Sequence, residues 1–368
     1  MDTGRSGVAM AAVVLGVCRE GLPGERRVAL VPRAVPGVRE LGVDVLVEAG
    51  AGAAAGFPDS SYAAAGAQIV AGGELAARAD VLAAVRRPTA ETVARLHRGQ
   101  VLICLLRPHR APHLVRRWAD AGLTLIGTDP ATRPGLPPGR LDAGAGQAAL
   151  AGYKAVLLAA DRLGREFAGG VAEPALVLVL GAGPAGLRAI DTARRLGATV
   201  HAYDTGRAVQ AAIAAHGGFV LPLGSWDVRR RAAVLSRFDV VISSTDAAPT
   251  AVDTAAVRSL RPGSVVVDLV CDADGRSVEP AVPGAERTVG GVLVVGAGEL
   301  AAAVPTTAST AYAQVLAALL AVLVPDGLLT VDPADPELAG AVVAHAGTVL
   351  DPRTAGLLRE ATAAAGLP

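Results

Sequence analysis

Short apolar runs separated by longer segments of helical spacing organise this chain. Runs fall at 13–17, 28–32, 45–48, 68–70, 81–84, 101–105 and 123–126. Between them, residues 32–41, 90–97 and 111–121 space their apolar positions as one face of a helix and predict helices. Alternation of this kind predicts a parallel or mostly parallel sheet. Residues 128–139 break it with Asp129-Pro130, Arg133-Pro134-Gly135 and Pro137-Pro138-Gly139, the composition of a loop or linker. A long helix is then predicted over 141–162, and strands over 175–180, 199–203, 240–243, 264–270 and 292–295. Further helices are predicted over 208–216 and 308–324, the last expected to return and pack on the first domain.

One of these runs ends in Val177-Leu-Val-Leu-Gly181-Ala-Gly183-Pro184-Ala185-Gly186-Leu, and the next ends at Asp204. Strand, glycine turn, helix and strand with an acid at its tip form a dinucleotide-binding fingerprint. Gly181 permits the tight turn, Gly183 lets a pyrophosphate approach the backbone, and Gly186 lets helix and strand pack closely. Pro184 falls in the first helical turn, where a missing N–H costs nothing. The helix N-terminus offers free N–H groups and partial positive charge to phosphates. Asp204, 18 residues beyond Gly186, is placed to accept both ribose hydroxyls of an adenosine. A carboxylate there repels a 2′-phosphate, so NAD is expected in preference to NADP, although Arg207 stands close by. Thr205, Ser244 and Thr245 complete the expected cofactor set.

The pattern therefore predicts an α/β fold of two domains. A Rossmann dinucleotide-binding domain, residues 141–307, is inserted in a discontinuous Rossmann-like N-terminal domain, residues 1–140 plus 308–368. The 368 residues suffice for both, and 52% hydrophobic content with only 3% aromatics places the cores on Ala, Val and Leu. Basic and acidic residues balance at 34 each, which gives no electrostatic footprint for nucleic acid or an anionic membrane. Lys154 is the only lysine, so almost no amine is available as an acid, a base or a Schiff-base former. Cys18, Cys104 and Cys271 are odd in number and widely spaced, as in reduced thiols of a cytoplasmic protein. No CxxC or HExxH pattern implies a metal. The longest later apolar run, 315–324, is too short to span a bilayer.

Several further motifs carry a family resemblance. Gly16-Val-Cys-Arg-Glu20, Glu25-Arg-Arg27-Val-Ala-Leu-Val-Pro32 and Leu46-Val-Glu-Ala-Gly50-Ala-Gly52 occur in order. Ala151-Gly-Tyr-Lys-Ala155, Asp239-Val-Val-Ile-Ser243, Pro262-Gly-Ser-Val-Val-Val-Asp268 and Val304-Pro-Thr-Thr-Ala-Ser309 follow. Together they resemble the alanine dehydrogenases and the α subunit of nicotinamide nucleotide transhydrogenase over nearly the whole chain. Leu106-Arg-Pro-His109, Asp129 to Arg133 and Tyr203-Asp204-Thr205 are more similar to the transhydrogenase branch. The resemblance implies NAD(H) in a cleft between two domains, a homodimer or higher homo-oligomer, and a separate NADP(H)-binding partner.

Departures from the two branches matter as much. The transhydrogenase branch carries an arginine- and glutamine-bearing loop after Arg133 that holds the nicotinamide end. Here residues 134–142 replace it, keeping Asp142 and Gln147, with Arg140 as a candidate cation. In the alanine dehydrogenase branch, an arginine and a lysine hold the substrate, a histidine is the acid/base and an aspartate lies near the nicotinamide. Arg27 matches the arginine and Asp272 the aspartate, but the lysine position is Arg86 and the histidine position is Arg107. Arginine stays protonated and cannot shuttle a proton. Three arginines instead imply a pocket for a small anionic substrate.

Each residue also has a structural reading: Arg27 as a buried pair, Asp142 as a helix cap, His109 and His113 as surface residues. The expected function is an NAD(H)-binding oxidoreductase of the transhydrogenase α-subunit type, with hydride moving at nicotinamide C4. The alternatives are an amino-acid or imino-acid dehydrogenase with an altered anionic pocket, and a catalytically silent NAD-binding subunit.

Overall fold

Valine-rich runs bury both of their faces only inside a parallel sheet sandwiched between helices, and the chain builds two such sheets. The computed structural model describes residues 12–129, 141–222, 226–245, 251–272, 275–338 and 340–364. Two compact units emerge, Met1–Gly144 with Pro305–Pro368, and Ala145–Val304. The expected boundaries at 140/141 and 307/308 lie within four residues of these divisions.

In the first unit, β1 (Val13–Val17), β2 (Val43–Glu48), β3 (Gln68–Val70), β4 (Val81–Arg86), β5 (Val101–Leu105) and β6 (Thr124–Gly127) pair in parallel. Their order across the sheet is β3-β2-β1-β4-β5-β6, so the order reverses between β1 and β4. The central strand β4 shows how the core is divided: Val81, Ala83 and Val85 join one buried cluster, and Leu82 and Ala84 the other.

The second unit repeats the arrangement. Its strands are β7 (Leu176–Leu180), β8 (Thr199–Tyr203), β9 (Phe219–Val220), β10 (Val240–Ser243), β11 (Val265–Asp268), β12 (Glu286–Val289) and β13 (Val292–Gly296). The order β9-β8-β7-β10-β11-β13 is parallel throughout, and β12 closes the edge antiparallel to β13. This is the doubly wound order of a dinucleotide-binding domain, with its reversal between β7 and β10. Returning to the first unit, β14 (Val342–His345) pairs antiparallel with β6 and with β15 (Thr348–Val349). That hairpin and the final helix Pro352–Ala364 lack a clear periodic signal in the sequence.

Three local expectations change. Residues 28–31 are buried but form no strand; the Val28 N–H donates to Ser309 Oγ at 2.9 Å, and the Leu30 carbonyl accepts from the Tyr62 hydroxyl at 2.8 Å. Side chains satisfy this backbone, so its apolar character reports burial rather than pairing. The helix expected over 90–97 is a single turn, Ala90–Val93, capped by Thr89.

The helix Pro305–Leu323 is, against expectation, long and apolar enough by length and composition to cross a membrane. Its Tyr312, Leu316, Leu319, Leu320 and Leu323 lie instead in the core of the first unit. Its Tyr312 hydroxyl donates to the Ala84 carbonyl of β4 at 2.8 Å. These ties make it a core helix.

The helix Ala143–Arg162 crosses the glycine turn at Gly152, where an added Cβ would lie 2.0 Å from the Ala185 carbonyl oxygen. Backbone cannot yield there as a flexible side chain would. Gly152→Ala is expected to destabilise the protein by about 2 kcal/mol or more, read as a lowered urea midpoint at unchanged m-value; an unchanged midpoint contradicts this packing.

Candidate functional site

At the reversal between β7 and β10, the turn after β7 carries its glycines for separable reasons. Gly181 adopts φ +83°, and its N–H donates to the Tyr203 carbonyl at 2.9 Å. A Cβ there would also approach Ser244 Oγ and the Thr245 N to 3.1 Å. A Cβ on Gly186 would lie 1.9 Å from the Gly181 carbonyl oxygen, so helix and turn touch through backbone alone. Gly183 differs: it precedes the helix Pro184–Arg195 with no side-chain cap, and a Cβ there would meet nothing within 4 Å. The first turn, with Pro184 and Ala185, therefore presents its N–H groups and positive dipole end toward open space. That arrangement fits a pyrophosphate.

Asp204, just past β8, is aimed at this turn. One carboxylate oxygen accepts the Ala182 N–H at 2.9 Å and the other the Gly206 N–H at 3.0 Å. Its carbonyl accepts from Gln210 Nε2 at 3.0 Å. Each carboxylate oxygen keeps a second lone-pair direction for a ribose hydroxyl. Ser244, one residue past β10, donates its hydroxyl to the Gly181 carbonyl at 2.8 Å. Gly181, Gly183, Pro184, Ala185, Gly186, Asp204, Ser244 and Thr245 thus converge. Thr205 is exposed beside them, and exposed Arg207 opens the helix Arg207–Ala215. Asp272 lies in the segment beyond β11, its N–H bonded to the Gly275 carbonyl at 2.9 Å.

The first unit gathers charged side chains at its own sheet's carboxyl edge. Arg27 and Glu25 have fully buried side chains, joined by Nε–Oε1 and Nη2–Oε2 contacts of 2.7 and 2.6 Å. Arg27 is therefore half of a buried, bidentate pair, and its charge acts together with that of Glu25. The register of β4 on β5 shifts between Ala83 and Arg86. Glu20 accepts the N–H groups at this irregularity, that of Val85 at 2.5 Å and that of Arg86 at 3.4 Å. Burial pushes the Glu20 carboxyl up to about 7, with Glu25 adding to the rise and those two N–H groups and Arg27 opposing it.

Arg107 follows β5 in a left-handed conformation, φ +43°, and its N–H donates to the Asp129 carboxylate. Burial lifts Asp129 to about 6, against the pull of Arg107, and the negative charge of Asp142 adds to the rise. Arg107, Asp129 and Asp142 are thus neighbours, with Asp142 immediately before the helix Ala143–Arg162. Arg86 is half-buried at the end of β4, His109 is half-buried and His113 exposed. Arg140 and most of the altered loop lie outside the described residues. Cys18, Cys104 and Cys271 are free and buried, with thiols that burial pushes up. Sequence reasoning passed over Glu20, Asp129 and Asp268 as site residues. Glu20 and Asp129 each lie three residues past a predicted strand, whereas Asp268 lies inside the strand predicted over 264–270 and directly follows its valine run.

The comparisons with known proteins cover both units. Residues 16–143 match the model of the alanine dehydrogenase/PNT N-terminal domain, and residues 155–352 that of the C-terminal domain. The chain belongs to the alanine dehydrogenase/PNT family. An NAD(P) transhydrogenase subunit alpha from Cereibacter sphaeroides is 33% identical, over 92% of this chain and 71% of the relative. An alanine dehydrogenase from Mycobacterium tuberculosis (strain CDC 1551 / Oshkosh) is 30% identical, over 93% and 95%. Among solved structures, the transhydrogenase from Sinorhizobium meliloti superposes with TM-score 0.80 at 34% identity, covering 92% of this chain and 99% of that one. An L-alanine dehydrogenase superposes with TM-score 0.81 at 26% identity, covering 95% and 99%. Both branches of the alanine dehydrogenase/PNT family thus share the whole two-unit fold with this chain.

Because folding raises the Glu20 carboxyl from 4.5 to about 7, its contribution to stability is complete below pH 4.5 and is lost as pH rises through 7. Relative to wild type, Glu20→Gln is expected to gain on the order of 3 kcal/mol between pH 4.5 and pH 8, measured by urea unfolding at both. A difference that does not vary with pH refutes the assignment.

Proposed function

We propose that this member of the alanine dehydrogenase/PNT family is an NAD(H)-binding oxidoreductase of the transhydrogenase α-subunit type. The uncapped, open helix end at Gly183 beside a locked Asp204 carries this reading. The Pro184–Arg195 helix end and the Gly183 backbone would bind the pyrophosphate, and Asp204 the ribose hydroxyls of the adenosine. Bound NAD(H) supplies hydride transfer at the nicotinamide C4. Asp204 favours NAD(H) over NADP(H), because a 2′-phosphate would meet its carboxylate. In this reading the partner is a separate NADP(H)-binding subunit and the protein is a cytoplasmic homodimer or higher homo-oligomer. The free, buried cysteines agree with a reducing compartment.

A specific observation favours a second reading, a dehydrogenase of a small anionic substrate. Hydride exchange between two nicotinamides needs no proton, whereas reduction of a ketone or imine does. Two buried carboxyls at the first unit's carboxyl edge, Glu20 near 7 and Asp129 near 6, titrate in the range such a step requires. Arg86 and Arg107, with Arg27, suit a carboxylate or phosphate. A chain that binds NADH tightly yet turns over neither with an NADP analogue and a partner domain nor with ammonia and 2-oxo acids is a silent subunit.

NADH fluorescence titration tests the shared premise. Wild type is expected to bind NADH at least about tenfold more tightly than NADPH, and Asp204→Ala to weaken NADH by about tenfold through lost ribose hydrogen bonds. Gly183→Val is expected to abolish binding while leaving the thermal midpoint unchanged. Equal affinity for the two nucleotides, or tight NADH binding by Gly183→Val, removes the reading.

A further inference from the structure

Tyr203 and Trp226 bring two half-buried aromatic rings together at the tip of β8. Their centroids lie 5.7 Å apart, with the planes tilted by 32°. The Arg231 guanidinium lies over the indole of Trp226, 5.6 Å from the ring centre. Arg231 is buried, yet its one carboxylate contact among the described residues is a 3.5 Å approach to Asp253. That is too long for a strong charge-assisted hydrogen bond. The indole, more than the carboxylate, therefore fixes where the guanidinium lies.

The stack belongs to one face of the second sheet. The helices Pro184–Arg195 and Arg207–Ala215 place Ile190 and Ile213 in the core on one face, together with Ala202 of β8. The helices Val228–Leu235 and Thr254–Arg258 place Leu235 and Val257 in the core on the other, and Tyr203 and Trp226 pack against that second core. Strand alternation turns Tyr203 to the face opposite Ala202. Asp204 follows, with one carboxylate oxygen on the Ala182 N–H of the glycine turn.

A ligand of a doubly wound sheet enters the crevice between connections that leave for opposite faces. With the pyrophosphate at Gly183 and the ribose on Asp204, the base comes to the tip of β8, beside Tyr203. We propose that Trp226, backed by Tyr203 and Arg231, seats the adenine ring of the bound dinucleotide. The proposal rests on the NAD(H) reading above. Adenine is flat and uncharged, and an indole offers it a π face of matching size. Tyr203 and Arg231 already restrict the indole, so little ordering cost remains to be met on binding. A purely structural Trp226 would pack against Leu235 and Val257 in the same way but would not sense the base.

The chain has two tryptophans, and the other, Trp118, is buried in a core of the first unit. Tryptophan emission and calorimetric affinity are measured on the full chain with ADP-ribose, which carries adenine, and with nicotinamide mononucleotide, which does not. ADP-ribose is expected to quench the wild-type emission, and nicotinamide mononucleotide to leave it unchanged. Trp226→Phe keeps a ring and Trp118, so the quenching is expected to vanish while ADP-ribose affinity stays within about threefold. Trp226→Ala is expected to weaken ADP-ribose about tenfold, the worth of one stacked base, with the affinity for nicotinamide mononucleotide unchanged. ADP-ribose that binds without quenching, quenching that persists in Trp226→Phe, or wild-type ADP-ribose affinity in Trp226→Ala overturns the adenine seat. Failure of wild type to bind either NADH or ADP-ribose overturns the cofactor reading instead.

Discussion

The second unit depends on one close approach, that of the Gly186 backbone to the Gly181 carbonyl, where even a methyl group would come within 1.9 Å. The contact lets the Pro184–Arg195 helix start immediately above the end of β7. Its N-terminus then lies at the strand-order reversal, where the neighbouring connections run to opposite faces of the sheet. Ser244 reinforces the approach by holding the Gly181 carbonyl, and Gly152 brings a second helix against Ala185. Gly183 is the exception that gives the packing a purpose. Crowding forces the other glycines, whereas the space beside Gly183 is open.

Hydrogen-bonded carboxylates organise the remaining chemistry at both sheets' carboxyl edges. Asp204 and Asp268 take backbone and hydroxyl donors and act as struts. Glu20 fills the same role at the irregular end of β4, where the ladder frees two N–H groups, but burial costs it more and moves it toward neutrality. The charge of Arg27 is spent largely on Glu25. In the proposed reading with a small anionic substrate, Arg86 and Arg107 therefore matter at least as much as Arg27.

Strand existence, strand order class and the cofactor turn were legible because each rests on local pattern. Runs such as Val-Val-Val before Asp268 or Val-Leu-Val-Leu before Gly181 have one stable use, the interior of a parallel sheet. Two of the turn's glycines, Gly181 and Gly186, are required by backbone sterics, five residues apart. Residues 28–31 misled for the same reason: an apolar run records burial, and nothing local distinguishes a strand from an irregular segment whose N–H and C=O groups are met by Ser309 and Tyr62. At Pro305–Leu323, alanine, threonine and tyrosine extend an apolar helix beyond its longest unbroken run, so length and composition alone do not separate a core helix from a spanning one.

The sequence by itself determined the two α/β units, the dinucleotide turn, the carboxylate at Asp204 and the family, since all of these follow from spacing along the chain. Tertiary structure decided which charges are available. The pairing of Arg27 with Glu25, the capture of β4's free N–H groups by Glu20 and the hydrogen bonds of Ser277 and Val278 to Asp268 bring together groups that local pattern does not link. Their physical properties come from burial and hydrogen-bond geometry, which no one-dimensional pattern contains.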